Sequence, residues 1–157
     1  MFTLRSKVFE DRKFMPAKYA AGGVAGAENL SPPLEWEDAP SGTQSFALAS
    51  VDRHPIARNW VHWLIVDIPA DVRELAEGVS RKSIPEGSIE LQNTAGMVGY
   101  GGPMPPVGSG PHDYEFTIYA LGSASLELRE KDNFADFERA LEGKVLGSAK
   151  LTGIFER

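Results

Sequence analysis

The sequence predicts a mainly β protein, built as a β-sandwich or a large antiparallel-rich sheet with one or two peripheral helices. Sixteen glycines and eleven prolines among 157 residues indicate many turns, which are typical of β-rich folds. Several segments combine β-branched and aromatic residues with apolar–polar alternation, as half-buried strands do. A helical spacing of apolar residues occurs convincingly only once.

The strand-like segments fall into a weak and a strong group. The weak group consists of an edge strand within residues 1–9 and short extended pieces at 34–36 and 88–92. The strong group consists of Ser45–Val51, Trp60–Ile68, Tyr114–Leu121 and Leu146–Phe155. Trp60–Ile68 is long, aromatic and β-branched, so we expect it to be a central strand. Pro69 ends it, because proline cannot continue a central hydrogen-bond ladder.

Helical and loop signals occupy the remaining segments. Asn133–Glu142 is the predicted helix, because its apolar residues are spaced three and four apart and Asn133 or Asp132 suits the N-cap. Val72–Val79 is predicted as a short helical turn that Gly78 closes. The segment 93–113 is rich in glycine and proline. A loop of about 20 residues inside a compact domain is uncommon and tends to be functional.

Composition excludes several classes of function. The net charge of −6 and the lack of a basic run give no footprint for nucleic acid or for an anionic membrane surface. The absence of cysteine excludes disulfides and thiolate chemistry. No segment has the roughly 20 apolar residues that span a bilayer, and residues 1–14 lack the apolar core of a secretory signal. We therefore expect one cytoplasmic domain over residues 1–157.

The chain's three histidines mark its candidate site. His54 and His62 lie in or beside the polar turn 52–59, and His112 precedes the strand 114–121 at the end of the glycine-rich loop. We expect the fold to bring His112 back to Asp52 and His62. Taken alone, His62 in a buried strand also fits a core histidine, and His112 alone fits a surface loop.

Three kinds of chemistry fit these residues. Asp52 and the three histidines would suffice as zinc ligands, but their spacing matches no recognised metal motif. A His/Asp pair could act as general acid–base in a small hydrolase or lyase, although no nucleophile elbow occurs around Ser109. Alternatively, histidine rings, a tyrosine hydroxyl and the amides of a glycine-rich loop could bind a phosphate or carboxylate group.

The chain resembles the phosphatidylethanolamine-binding protein family, also called Raf kinase inhibitor-like proteins, and in particular its short bacterial and archaeal branch. The resemblance covers residues 1–157 and rests on several motifs in the same order. These are Asn29-Leu30-Ser31-Pro32-Pro33-Leu34-Glu35-Trp36, Ser45-Phe46-Ala47-Leu48 leading to Asp52 and Pro55, Trp60-Val61-His62-Trp63, Tyr100-Gly101-Gly102-Pro103-Met104-Pro105-Pro106 and Gly110-Pro111-His112-Asp113-Tyr114-Glu115-Phe116.

The resemblance implies a β-sandwich with a small anion-binding pocket at one end of the sheet, non-catalytic and without a cofactor. Matched motif by motif, the predicted pocket residues are Asp52, His62, Gly102, Pro103, His112 and Tyr114, with Pro55 and Trp60 as walls. The family binds phosphate-type groups, including phospholipid head groups, and some members inhibit kinases or proteases. A small anionic ligand and a kinase or protease target are therefore the implied partners.

Two departures from the family pattern bear on the ligand. Asp52-Arg53-His54-Pro55 replaces the family's Asp-Pro-Asp-Ala-Pro turn, so His54 falls near an acidic position and is predicted to set ligand preference. Arg53, if turned inward, would favour an anion further. The chain also lacks the C-terminal extension that closes the site in larger relatives, so we expect a more open pocket or one covered by the second subunit of a homodimer.

Overall fold

Nine β-strands in two sheets and one α-helix make up the fold. The computed structural model describes every residue, 1–157. The strands are β1 (Thr3–Arg5), β2 (Lys13–Phe14), β3 (Leu34–Glu37), β4 (Ser45–Asp52), β5 (Trp60–Pro69), β6 (Glu74–Leu75), β7 (Ile89–Glu90), β8 (His112–Leu121) and β9 (Val145–Phe155), and the helix is α1 (Phe134–Leu141). Two 3₁₀ turns, Ala17–Tyr19 and Pro55–Ala57, complete the regular structure. Helix α1 has eight residues, and the structure contains no helix that could span a membrane.

The six-stranded sheet has the order β2-β9-β8-β4-β5-β7 and is antiparallel except for the pairing of β2 with β9. Its four long strands are the four strong segments predicted from the sequence, each extended by one or two residues. Strand β4 lies between β5 and β8 and is buried along its whole length. Because strands buried on both faces read as continuous apolar runs, this centre could be recognised without any knowledge of the topology.

The main core lies between this sheet and the three-stranded sheet β1-β3-β6. Trp36 of β3 packs edge-on against Phe46 of β4, with ring centroids 5.5 Å apart. Alternate residues of β8 (Tyr114, Phe116, Ile118 and Ala120) face this core, as their spacing predicts. The mainly β sandwich predicted from the sequence is confirmed.

The opposite face of the six-stranded sheet is covered by α1. Phe137 and Leu141 are buried in a second apolar cluster with Ala47, Ala49 and Leu64 of the sheet. Asn133 caps the helix: its side chain accepts from the Asp136 amide, and the Asp136 carboxylate accepts from the Asn133 amide. This is a capping box, which satisfies two amides that the first turn leaves unpaired. The predicted helix is confirmed.

The prediction of a helical turn over Val72–Val79 is wrong. Glu74 and Leu75 form β6, which pairs with Leu34 and Glu35 of β3. Leu75 is buried in the main core, and the amide of Trp36 donates to the carbonyl of Arg73. Tertiary pairing with β3 therefore overrides a weak local helical preference, which is how short strands usually arise.

Candidate ligand-binding site

A cavity of about 500 Å³ lies at the end of the six-stranded sheet where β4 ends and β5 and β8 begin. The register fixes its floor, because Asp52 is paired with Trp60 on one side and with Tyr114 on the other. The cavity is lined by Ala21, Asn29, Asp52, Ile56, Ala57, Trp60, Val61, His62, Asn93, Ala95, Met97, Tyr100, Gly101, Gly102, Met104, Pro105, Pro106, His112 and Tyr114.

A β-bulge places His62 in the floor. Ser50 pairs with Trp63 and Val51 pairs with Val61, so His62 has no partner on β4. Bulges of this kind redirect a side chain and are common beside functional sites. Two hydrogen bonds fix His62 to the glycine-rich loop: its Nδ1 lies 2.7 Å from the Gly101 oxygen, and its own carbonyl accepts from the Gly101 amide at 2.9 Å. Burial lowers the pKa of His62 below its ordinary value.

His112 is held between Asp52 and Ser109. Its Nδ1 lies 2.7 Å from Oδ2 of Asp52, and its Nε2 lies 2.8 Å from Oγ of Ser109. Oδ1 of Asp52 accepts from the amide of His54 at 2.9 Å. Both ring nitrogens of His112 are therefore occupied by protein groups. The carboxylate fixes the orientation of His112, as a carboxylate partner of a histidine commonly does.

Two further polar groups complete the floor. Tyr114 packs edge-on against His62 with ring centroids 5.1 Å apart. Burial, then the charge of Asp52 and a hydrogen bond to its carboxylate, raise the pKa of the Tyr114 hydroxyl, so the hydroxyl keeps its proton. The side-chain oxygen of Asn29 accepts from the amide of Gly102 at 2.7 Å. The Asn29 NH₂ group then remains, a donor with no partner in the protein.

The glycine-rich loop closes one wall of the cavity by close backbone packing. A Cβ on Gly102 would lie 2.2 Å from the carbonyl oxygen of Tyr19, so only glycine fits. The hydroxyl of Tyr100 donates to that same carbonyl at 2.8 Å, and the Ala21 amide donates to Pro103 at 2.9 Å. The rest of the wall is apolar, and four of its side chains stay exposed at the mouth: Ile56, Trp60, Met97 and Met104.

Six of the nine predicted site residues line the cavity: Asp52, Trp60, His62, Gly102, His112 and Tyr114. The other three lie outside the lining and contact or adjoin residues that line the cavity. Pro103 is buried and binds the Ala21 amide through its carbonyl, and Pro55 begins the 3₁₀ turn that carries Ile56 and Ala57. His54 caps that turn with Nδ1 and stacks on the ring of His112, with centroids 3.9 Å apart.

Arg53 does not turn inward. Its guanidinium lies 3.1 Å from the Glu115 carboxylate and donates to Asn59 at 2.9 Å. This ion pair lies outside the cavity, so Arg53 adds no positive charge to the lining.

Several lining residues are not among the predicted site residues, including Asn29, Asn93, Met97 and Tyr100. Asn29 opens the Asn-Leu-Ser-Pro-Pro motif and has a left-handed backbone conformation with φ of 53°. This conformation is uncommon outside glycine and is easiest for Asn and Asp. That motif was therefore the one sequence signal that could have indicated Asn29.

A second depression, more open than the cavity, lies beside β7 and has a volume of about 910 Å³. Arg81, Arg129 and Lys131 line it together with Glu90 and Glu130. The Glu90 carboxylate already accepts from Trp63, Ser80 and the Arg81 amide.

No group of three or more His, Asp or Glu side chains anywhere in the structure is arranged to hold a metal ion.

Comparison with known proteins gives relatives that match along nearly the whole chain. Residues 5–156 match the sequence profile of the family described as phosphatidylethanolamine-binding protein. The UPF0098 protein of Methanothermobacter thermautotrophicus is 40% identical over 155 residues, which is 98% of either chain. The UPF0098 protein YbhB of Escherichia coli is 32% identical and covers 97% of this chain and 98% of its own.

Solved structures give the same result. The crystal structure of Escherichia coli YbcL, described as a new member of the mammalian PEBP family, superposes with a TM-score of 0.93. Its sequence is 29% identical, and the match covers 99% of this chain and 98% of YbcL. The resemblance noted in the sequence is thus confirmed. The chain belongs to the phosphatidylethanolamine-binding protein family.

Proposed function

We propose that the protein is a non-catalytic binding protein for a small molecule that carries a phosphate or carboxylate group. The cavity receives the charged group at its polar floor and an apolar part of the ligand along its walls. Family membership supports a binding protein of this type. A few convergent polar groups inside a largely apolar cavity of this size are typical of small-molecule sites.

One observation carries the proposal. Asp52, His62, His112 and Tyr114 come from three adjacent strands, yet they converge on the floor of a single cavity. Asp52, His112 and Tyr114 are each at most 4% exposed, and His62 is 8% exposed. Burying that many polar groups costs free energy that a purely structural core would not need to spend. A ligand-binding role explains why they are placed there.

Calorimetric titration with phosphate, phosphoethanolamine and methyl phosphate tests the proposal. We expect saturable binding by the wild-type protein and a loss of roughly tenfold or more in Tyr114→Phe, the order expected for one hydrogen bond to a charged group. Tyr119→Phe is the matched control, because Tyr119 lies on the same strand but packs against Phe137 on the opposite face. Absence of binding by the wild type, or equal loss in both variants, would overturn the proposal.

A second candidate, a small hydrolase, is favoured by one specific observation. Ser109, His112 and Asp52 form a hydrogen-bonded chain in the order of nucleophile, base and orienting carboxylate. Two features oppose it: Ser109 does not line the cavity, and its hydroxyl also lies 2.7 Å from the Pro106 carbonyl. A hydroxyl has only one proton, so that contact competes with donation to His112.

A fluorophosphonate probe and a panel of esters and phosphoesters distinguish the two functions. The binding function predicts no covalent labelling at Ser109 and no turnover above that of the Ser109→Ala variant. Labelling that disappears in Ser109→Ala, together with turnover that depends on His112, would establish the hydrolase instead.

A further inference from the structure

His62 offers the cavity a hydrogen-bond acceptor. Its Nδ1 lies 2.7 Å from the carbonyl oxygen of Gly101. A carbonyl oxygen can only accept, so Nδ1 carries the proton, and Nε2 of the neutral ring then has a free lone pair. Burial lowers the pKa of the ring and so favours its neutral form.

Nε2 of His62 is open to the cavity and has no partner within the protein. The only fully enclosed side-chain polar atoms without a partner are Trp36 Nε1 and Ser50 Oγ, so Nε2 keeps accessible surface, and His62 is a lining residue.

Three groups face the His62 ring: Asp52 from β4 and His112 and Tyr114 from β8. Both nitrogens of His112 are already bonded to Asp52 and Ser109. His54 lies beyond His112 and outside the cavity. None of them supplies a donor to Nε2 in the structure, so the donor has to come from outside the protein chain.

No lysine or arginine lines the cavity, and Asp52 is its one carboxylate. The charge of Arg157 reaches the Tyr114 hydroxyl from outside the lining, where its Nε donates to the Pro105 carbonyl. A dianion bound here would face the Asp52 charge and the His62 lone pair with no cation in the lining to offset them. Two negative charges in a partly buried site repel each other more strongly than they would in water. The cavity therefore disfavours a doubly ionised head group.

We infer that the cavity selects the singly protonated form of a phosphate monoester, whose P–OH donates to Nε2 of His62. Its remaining oxygens accept from the Asn29 NH₂ group and from the Tyr114 hydroxyl, whose proton turns from Asp52 to the ligand. This inference rests on the proposed function and specifies its ligand. A sulfate ester of the same shape and charge has no such proton. It would place an oxygen lone pair against that of His62, and an unpaired buried polar atom of this kind is costly.

The matched pair methyl phosphate and methyl sulfate tests the inference by calorimetry at pH 5.5. Both are mainly monoanions there, because the second pKa of a phosphate monoester is about 6. We expect methyl phosphate to bind at least about tenfold more tightly. At pH 8 methyl phosphate loses its donor proton, so its affinity falls about tenfold while that of methyl sulfate changes little. Methyl sulfate thus controls for titration of the protein itself.

The variant His62→Gln tests the same atom, because a side-chain amide can present either an N–H or a C=O group. We expect the two esters to bind this variant within about threefold of each other, with thermal unfolding close to that of the wild type.

Each outcome decides the inference. Equal binding of the two esters by the wild type, tighter methyl phosphate binding at pH 8, or an unchanged preference in His62→Gln overturns the inference and leaves the proposed function standing. If neither ester nor phosphate binds, both fall.

Discussion

Replacing Gly102 with alanine tests the close packing that closes the cavity. The added Cβ would lie 2.2 Å from the carbonyl oxygen of Tyr19 and 2.6 Å from the carbonyl carbon of Ala20. Real Cβ contacts stay beyond about 3 Å, so the loop and the facing segment must separate by roughly 1 Å. The backbone at Gly102 has no positive φ, so the whole effect is steric.

The cost follows from what the separation disrupts. Overpacking of this size costs about 1–3 kcal/mol. The Ala21–Pro103 bond of 2.9 Å and the Asn29–Gly102 bond of 2.7 Å lie across the same contact, and weakening them adds about 1 kcal/mol. We expect a loss of roughly 2–4 kcal/mol in the free energy of unfolding, or a fall in Tm of about 5–15 °C for a chain of this size.

The assay is urea unfolding followed by tryptophan fluorescence, with Gly101→Ala as the matched control. The nearest atom to a Cβ on Gly101 is the Asn93 side-chain nitrogen at 3.3 Å, so a shift of a few tenths of an ångström is enough to accommodate the methyl group. That variant should stay within about 1 kcal/mol of wild type, helped by reduced entropy of its unfolded chain. A Gly102→Ala variant as stable as Gly101→Ala would refute the steric reasoning.

Three further predictions concern other parts of the molecule. Glu90→Ala leaves the buried donors of Trp63 and Ser80 unpaired, so urea unfolding should show a loss of roughly 3 kcal/mol; a loss below 1 kcal/mol contradicts this. Asn133→Ala removes the N-cap of α1 and should cost about 1 kcal/mol, without changing ligand affinity in calorimetry. His54→Asp adds a carboxylate beside His112 and should weaken methyl phosphate binding roughly two- to tenfold; a variant affinity equal to that of the wild type at every pH from 5 to 8 argues against any role of His54 in ligand preference.

Most of the fold could be predicted from the sequence because its central strands have a strong signal of their own. Strands β4 and β5 read as apolar runs between turns, and β8 alternates along its length. The two-residue strands β2 and β6 could not be predicted, because they form only through their pairing with β9 and β3. Nothing in their local composition distinguishes them from loop.

The site was predictable in identity but not in chemistry. Motif matches placed Asp52, His62, His112 and Tyr114 together, and the structure brings them to one cavity. The direction of each hydrogen bond depends on backbone groups that lie far apart in the chain. The Gly101 carbonyl makes His62 an acceptor, and Ser109 occupies the outer nitrogen of His112. Residue type alone suggested that both rings would donate to an anion.

A crystal structure of the protein with methyl phosphate, grown at pH 5.5, tests the central claim most directly. We predict that the phosphoryl group lies on the cavity floor, with oxygens about 2.6–3.2 Å from Tyr114 Oη and from His62 Nε2. Methyl phosphate bound in the depression beside Arg81, Arg129 and Lys131, with none on the cavity floor, would contradict the account.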